Sequence, residues 1–206
     1  MQAHRRNIEA GLAFVALGVA YALVSTRFTI GPPWLVLALA VVGCVVMAVL
    51  HWRGLPRMRS MLAVILLVVV TAAVGASAVL LLGSLLVGRT QAGDLLGSAA
   101  LLWLSNMLVF SLWYWEIDGG GPHHRKPGPD ASSDFLFPQM QSSGDRTSKW
   151  CPEYLDYLFL SFNTCTAFSP TDTMVLARRA KVLMMVQSII SLITIAVLAA
   201  RAINTL

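Results

Sequence analysis

The residues able to do chemistry concentrate in the last third of the chain. Between Thr164 and Asp172 the sequence TCTAFSPTD sets Thr164, Thr166, Ser169 and Asp172 around Phe168. These five residues stand between a half-length apolar segment and a spanning helix, and that place in the order of segments makes them the pore or filter candidates. Further on, Gln187, Ser188, Ser191 and Thr194 share one side of a helix turned by 100° per residue. Such a stripe faces either water, as a pore lining, or other helices, as interhelical hydrogen bonds, and the residues alone do not choose. Arg178, Arg179 and Lys181 precede it. They read most simply as interface charges, and the same cluster would also attract anions or acidic lipid headgroups.

Elsewhere the signals are weaker. Glu116, Asp118, His123 and His124 could form an acid/base or metal site, but adjacent histidines in a Gly/Pro loop lack the i,i+4 spacing of helical metal sites. A solvated loop is the expectation there, with the two acids in water. Cys44, Cys151 and Cys165 form no CxxC or Cys/His pattern. No nucleophile motif, phosphate-cradling glycine loop or zinc pattern occurs, so neither an enzyme nor a metal or cofactor is expected. The net charge of +5 comes from basic clusters between apolar runs. It therefore reports membrane orientation rather than a nucleic-acid partner.

The elements that must position these residues are helices in lipid. Apolar residues make up 57% and charged residues 12% of the chain, against about 45–50% and about 25% in soluble proteins. No acid lies between Glu9 and Asp94. The expected fold is an all-α integral membrane protein with about five transmembrane helices and one half-length helix. Residues 1–94 form an N-terminal three-helix bundle with spans Ile8–Val24, Trp34–Leu50 and Met61–Val87. Residues 95–206 form a hairpin: a span at 95–115, a hydrophilic loop at 116–152, a half-length helix at 153–168 and a last helix at 170–203. Arg5 and Arg6 precede the first apolar run with no small-x-small cleavage site after it, which reads as a retained helix.

The half-length helix matters most for function. Pro152 and Glu153 suit a first turn. Leu155, Leu158, Phe159 and Phe162 recur at helical spacing, opposite Asp156 and Asn163. The segment is well short of the roughly 20 residues a crossing needs, so it either re-enters the bilayer or lies flat on it. Ser169-Pro170-Thr171-Asp172 then reads as a helix start. With five spans and a cytoplasmic N-terminus, only Arg27, Arg89 and Arg201 of the 15 Lys and Arg fall outside. That bias follows the positive-inside rule.

The run EYLDYLFLSFNTCTAFSPTDTMVLARRAKVLMMVQSIISLITIAVLAARAINTL resembles the end of an uncharacterised family of small bacterial integral-membrane proteins. There an aromatic Tyr-x-x-Tyr segment, a Thr/Phe turn, an Asp and an Arg pair precede the final helix. The hairpin is also similar to the pore domain of potassium channels, whose filter would align with Thr166–Asp172. That filter depends on glycines to aim its carbonyls, and Thr166–Asp172 contains none. The resemblance implies an oligomeric, ion-channel-like protein of the cell membrane conducting a small ion along the last helix. Its partners would be the lipid bilayer and further copies of the chain. The alternative is a non-conducting structural or accessory subunit; a membrane-embedded enzyme comes last.

Overall fold

The computed structural model describes residues 2–87, 92–128, 130–141, 150–169 and 172–204, with the side chains of 2–7, 86–87, 92 and 202–204 left out. Arg89, Arg146, Lys149, Pro170, Thr171 and the side chains of Arg5 and Arg6 therefore lie outside the described part of the chain.

Seven α-helices appear among the described residues: α1 Gln2–Ala22, α2 Trp34–Trp52, α3 Pro56–Val87, α4 Ala92–Ile117, α5 Pro138–Gln141, α6 Tyr154–Thr166 and α7 Arg178–Asn204. Two strands, β1 Phe135–Leu136 and β2 Met174–Val175, pair antiparallel with Phe135 opposite Val175. Four helices are long and apolar enough to cross a membrane: α2, α3, α4 and α7. That is the pattern of a multi-pass membrane protein. The apolar part of α1, Ile8–Ala22, is shorter than these, so the expected fifth span is not among the long ones.

Antiparallel neighbours with short connections bring α1, α2, α3 and α4 into contact, and α7 packs on α3 and α4. One apolar core runs through Leu17, Tyr21, Val70, Leu102, Phe110 and Val197. It crosses the boundary expected at residue 94. The valine-rich outer faces of α2 and α3 stay exposed, Val42 and Val45 on one and Val68 and Val69 on the other, as helices bathed in lipid require.

The last helix begins later than its sequence suggests. Ser169 to Asp172 reads as a helix start, yet α7 opens at Arg178. The intervening residues are claimed by β pairing: Leu176 N–H donates to the Asp134 carbonyl at 2.9 Å, next to the β1–β2 ladder. A long-range ladder cannot be read from a local capping pattern.

Gly18 sets the closest approach of α1 and α2. A Cβ there would sit 2.9 Å from the Leu37 Cα and 3.1 Å from the Ala40 Cβ. Small residues permit such backbone contact between membrane helices. Gly18→Ala is expected to lower stability by about 1–3 kcal/mol, whereas Gly11→Ala, with open space around its Cβ, changes little. Thermal unfolding in detergent micelles compares the two, and equal melting temperatures would contradict the packing account.

Candidate functional site

One end of the bundle carries a folded polar layer. Asp118 follows α4 and is 1% exposed. Its Oδ1 accepts the backbone N–H groups of Asp134 (2.7 Å) and Phe135 (3.2 Å), and its Oδ2 accepts the Tyr157 hydroxyl at 2.5 Å. Arg125 returns beneath it, with Nε 3.7 Å from Asp118 Oδ2. The Arg125 guanidinium lies 4.5 Å from the Trp115 ring centre and 4.7 Å from that of Tyr157, a cation held between two π faces. The return is built by Gly119-Gly120-Gly121, whose φ values are 61°, 79° and 94°. Only glycine takes three such angles in a row cheaply.

Two further ion pairs complete the layer. Arg179 at the start of α7 grips Asp134 with Nε and Nη2, each at 2.6 Å, and Nη2 also donates to the Ile117 carbonyl at 3.1 Å. Arg59 on α3 meets Glu116 at 3.2 Å. Glu116 and Asp118, expected in water, are thus both buried. The loop after α4 folds back over the bundle instead of leaving it. Phe135 and Phe137 are buried and pack edge-on against Tyr157, so this part of the hydrophilic loop has a core despite its composition. His123 stacks on His51 at 5.3 Å and shows no metal partner: no group of three or more His, Cys, Asp or Glu placed to hold a metal occurs among the described residues.

From this layer α6 runs alongside α4 and α7. Glu153 and Asp156 form a reciprocal capping box at its start. Tyr154 shares a 2.7 Å hydrogen bond with Ser111, and Ser161 donates to the Met107 carbonyl at 2.6 Å. Gln187 gathers the contact. Its Nε2 donates to the Ser161 carbonyl (2.9 Å) and Oγ (2.7 Å), its Oε1 accepts from the Tyr114 hydroxyl, and its carbonyl accepts from Asn106. Ser191 donates to the Cys165 carbonyl at 2.7 Å. Eight residues beyond Asp134's partner Arg179, α6 therefore ends beside Gln187 and Ser191. By Met174 the chain is back at β1. The helix enters and the chain returns at the same end of the bundle.

The expected site residues separate into two groups. Gln187, Ser191 and Thr194 are fully buried and Ser188 half-buried. Thr194 bonds only within its own helix, to the Ile190 and Ser191 carbonyls. Of the filter candidates, Thr164 is buried and bonds the Leu160 carbonyl, while Thr166, Phe168, Ser169 and Asp172 are exposed. Phe168 has φ 53°, the sole described non-glycine residue with positive φ. It ends α6 where glycine usually stands. Of the interface charges, Arg178 and Lys181 are exposed and Arg179 is tied to Asp134. The roles of Arg125, Asp134, Arg59 and Tyr157 are not apparent from the sequence. The signal that could have found them is the number of acids beside span ends, each of which needs a buried partner.

The comparisons give no relative: no family model, no curated protein and no solved structure matches the chain.

Asp134 is 1% exposed in its side chain and Arg179 58%. Arg179→Ala strands a buried carboxylate and should cost about 1–3 kcal/mol. Asp134→Ala leaves a solvated guanidinium and should cost less; melting temperatures in that order support the asymmetry, and the reverse order contradicts it. His123 gives a pH signature. Partial burial, then the positive Arg59 and the neighbouring imidazoles, push it from 6.5 down to about 4. The unfolded chain thus takes a proton that the folded chain refuses, so stability should fall as pH drops from about 6.5 to about 4. The ring still reaches solvent, so salt blunts the effect. His123→Asn should flatten that slope of melting temperature against pH; an unchanged slope would assign it elsewhere.

Proposed function

We propose that the chain is a multi-pass membrane protein, with α1 as a fifth span, in which several copies surround a hydrated path bounded by the turn after α6. One observation carries this reading: Thr166, Phe168 and Ser169 are exposed where α6 ends deep along α7, and Asp172 is exposed where the chain returns towards β2. Ser191, bonded to Cys165, lies midway between Lys181 and Arg201, the charges that bracket the apolar stretch of α7. Asn106, which donates to Cys165 Sγ at 3.5 Å, lies next to the midpoint between Asp94 and Glu116 on α4. The tip of α6 is about 20 Å along α7 from Arg178 at 1.5 Å per residue. That is well inside a hydrocarbon core about 30 Å thick.

Irregular backbone facing lipid at that depth is not tolerated; it must meet protein or water. A ring of copies about a common axis supplies both. The ring would bring together Thr166, Ser169 and Asp172 as oxygen ligands, and Phe168 as an apolar constriction. A ring of aspartates favours a cation, so a small cation is the proposed solute. The polar stripe on α7 has a different job in this reading: Gln187 and Ser191 hold α6 in place, Thr194 bonds back to its own helix, and none of the three lines the path.

A second reading also has an observation behind it. Among the described residues, the same burial leaves no polar stripe on the exposed face of α7 beyond Ser191, where Leu192, Ala196 and Ala199 face outward. A non-conducting accessory subunit, its turn covered by a partner, would look the same as a monomer. Cation flux into liposomes holding purified protein separates them. The pore reading expects flux under an imposed voltage, with cation preference reduced by Asp172→Asn. No flux for any small cation or anion from a reconstituted oligomer favours the accessory reading.

A further inference from the structure

A cavity, separate from the turn after α6, opens among α1, α2, α3 and α4 at the end that carries the polar layer. Its volume is about 250 Å³. That lies above the roughly 150 Å³ that admits benzene and below the roughly 300–1,000 Å³ of pockets for drug-sized ligands. Gly11, Phe14, Met47, Leu67 and Trp115 give it apolar walls. His51, Arg59 and Glu116 stand along one side of it. Arg59 uses Nη1 for Glu116 and has no other hydrogen-bond acceptor among the described residues.

Basic residues gather at this end of the helices: Arg53 and Arg57 lie on either side of the short α2–α3 connection, and His123 stacks on His51, which lines the cavity. Burial first, and then Arg59, His51 and His124, hold the His123 pKa low. Glu116 is the single acid in the cavity lining, and Arg59 already faces it. Hydrocarbon walls, an arginine with N–H groups beyond the one given to Glu116, and an imidazole beside it match an acyl chain carrying an anionic head.

We propose that this cavity holds one acyl chain of an anionic phospholipid, with the lipid phosphate at Arg59 and His51. The site lies where headgroups and the first methylenes of a lipid belong, next to helix ends, so a bilayer lipid reaches it without leaving its leaflet. It is independent of the path proposed for the turn after α6.

Native mass spectrometry of the full-length protein in detergent tests this with phosphatidylglycerol, phosphatidylcholine and free oleate as probes. The account expects phosphatidylglycerol to be retained at least tenfold better than phosphatidylcholine, with oleate weaker than phosphatidylglycerol. Gly11→Leu, which adds bulk where a Cβ meets nothing within 4 Å, should reduce retention tenfold while preserving the melting temperature. Ala63→Leu is the second filling variant, used if the first unfolds. The paired change Arg59→Gln with Glu116→Gln leaves no stranded charge and should abolish the preference for phosphatidylglycerol. Equal retention of both phospholipids, stronger retention of oleate, or filled variants that bind as well as the original would overturn the proposal.

Discussion

Everything at the polar end of this molecule hangs on the buried carboxylate of Asp118. It ends α4, receives two backbone N–H groups from the start of β1, receives the Tyr157 hydroxyl from α6, and faces Arg125. A buried carboxylate is costly unless charge and hydrogen bonds both answer it. Because those answers come from three separate parts of the chain, satisfying Asp118 fixes the loop, the strand and the half-length helix together. Asp134, positioned by that contact, then receives Arg179 and sets where α7 begins. Local electrostatics thus becomes topology.

From that anchor, the depth of α6 follows from small polar groups. Ser161 and Cys165 on α6 face Asn106 on α4 and Gln187 and Ser191 on α7. In a membrane interior these groups have no water to bond, so each prefers a partner on a neighbouring helix. The result is a helix held between two longer ones and stopped partway. Its remaining face, with Leu155, Phe159 and Phe162, is exposed and apolar, while the turn beyond it is exposed and polar. A lone copy in lipid satisfies the first face and not the second, and that mismatch is what the proposed ring of copies would relieve.

The helices themselves were legible because lipid imposes a simple rule: long apolar runs with few charges between Trp34 and Tyr114 can do little else. The half-length helix was legible from its brevity and from Pro152 and Glu153 at its start. Long-range pairing was not legible. The Ser169–Asp172 start signal was outweighed by a two-residue ladder that joins Met174 to the distant Leu136. The Gly119–Gly121 run looks like flexible spacing, yet its positive φ values turn Arg125 back under Trp115. Gln187 and Ser191 were recognisable as a stripe, but which surface the stripe met depended on α6 being there.

The central claim is that the tip of the half-length helix sits far into the membrane and yet faces water. A nitroxide spin label at Phe168→Cys, in a cysteine-depleted protein reconstituted into liposomes, tests it by relaxation with a water-soluble nickel complex and with oxygen. Ile189, exposed and apolar on α7, provides the reference as Ile189→Cys. The account predicts that the label at 168 responds more to nickel than to oxygen, and the label at 189 more to oxygen. Oxygen dominance at both positions would put the turn in lipid and contradict the account.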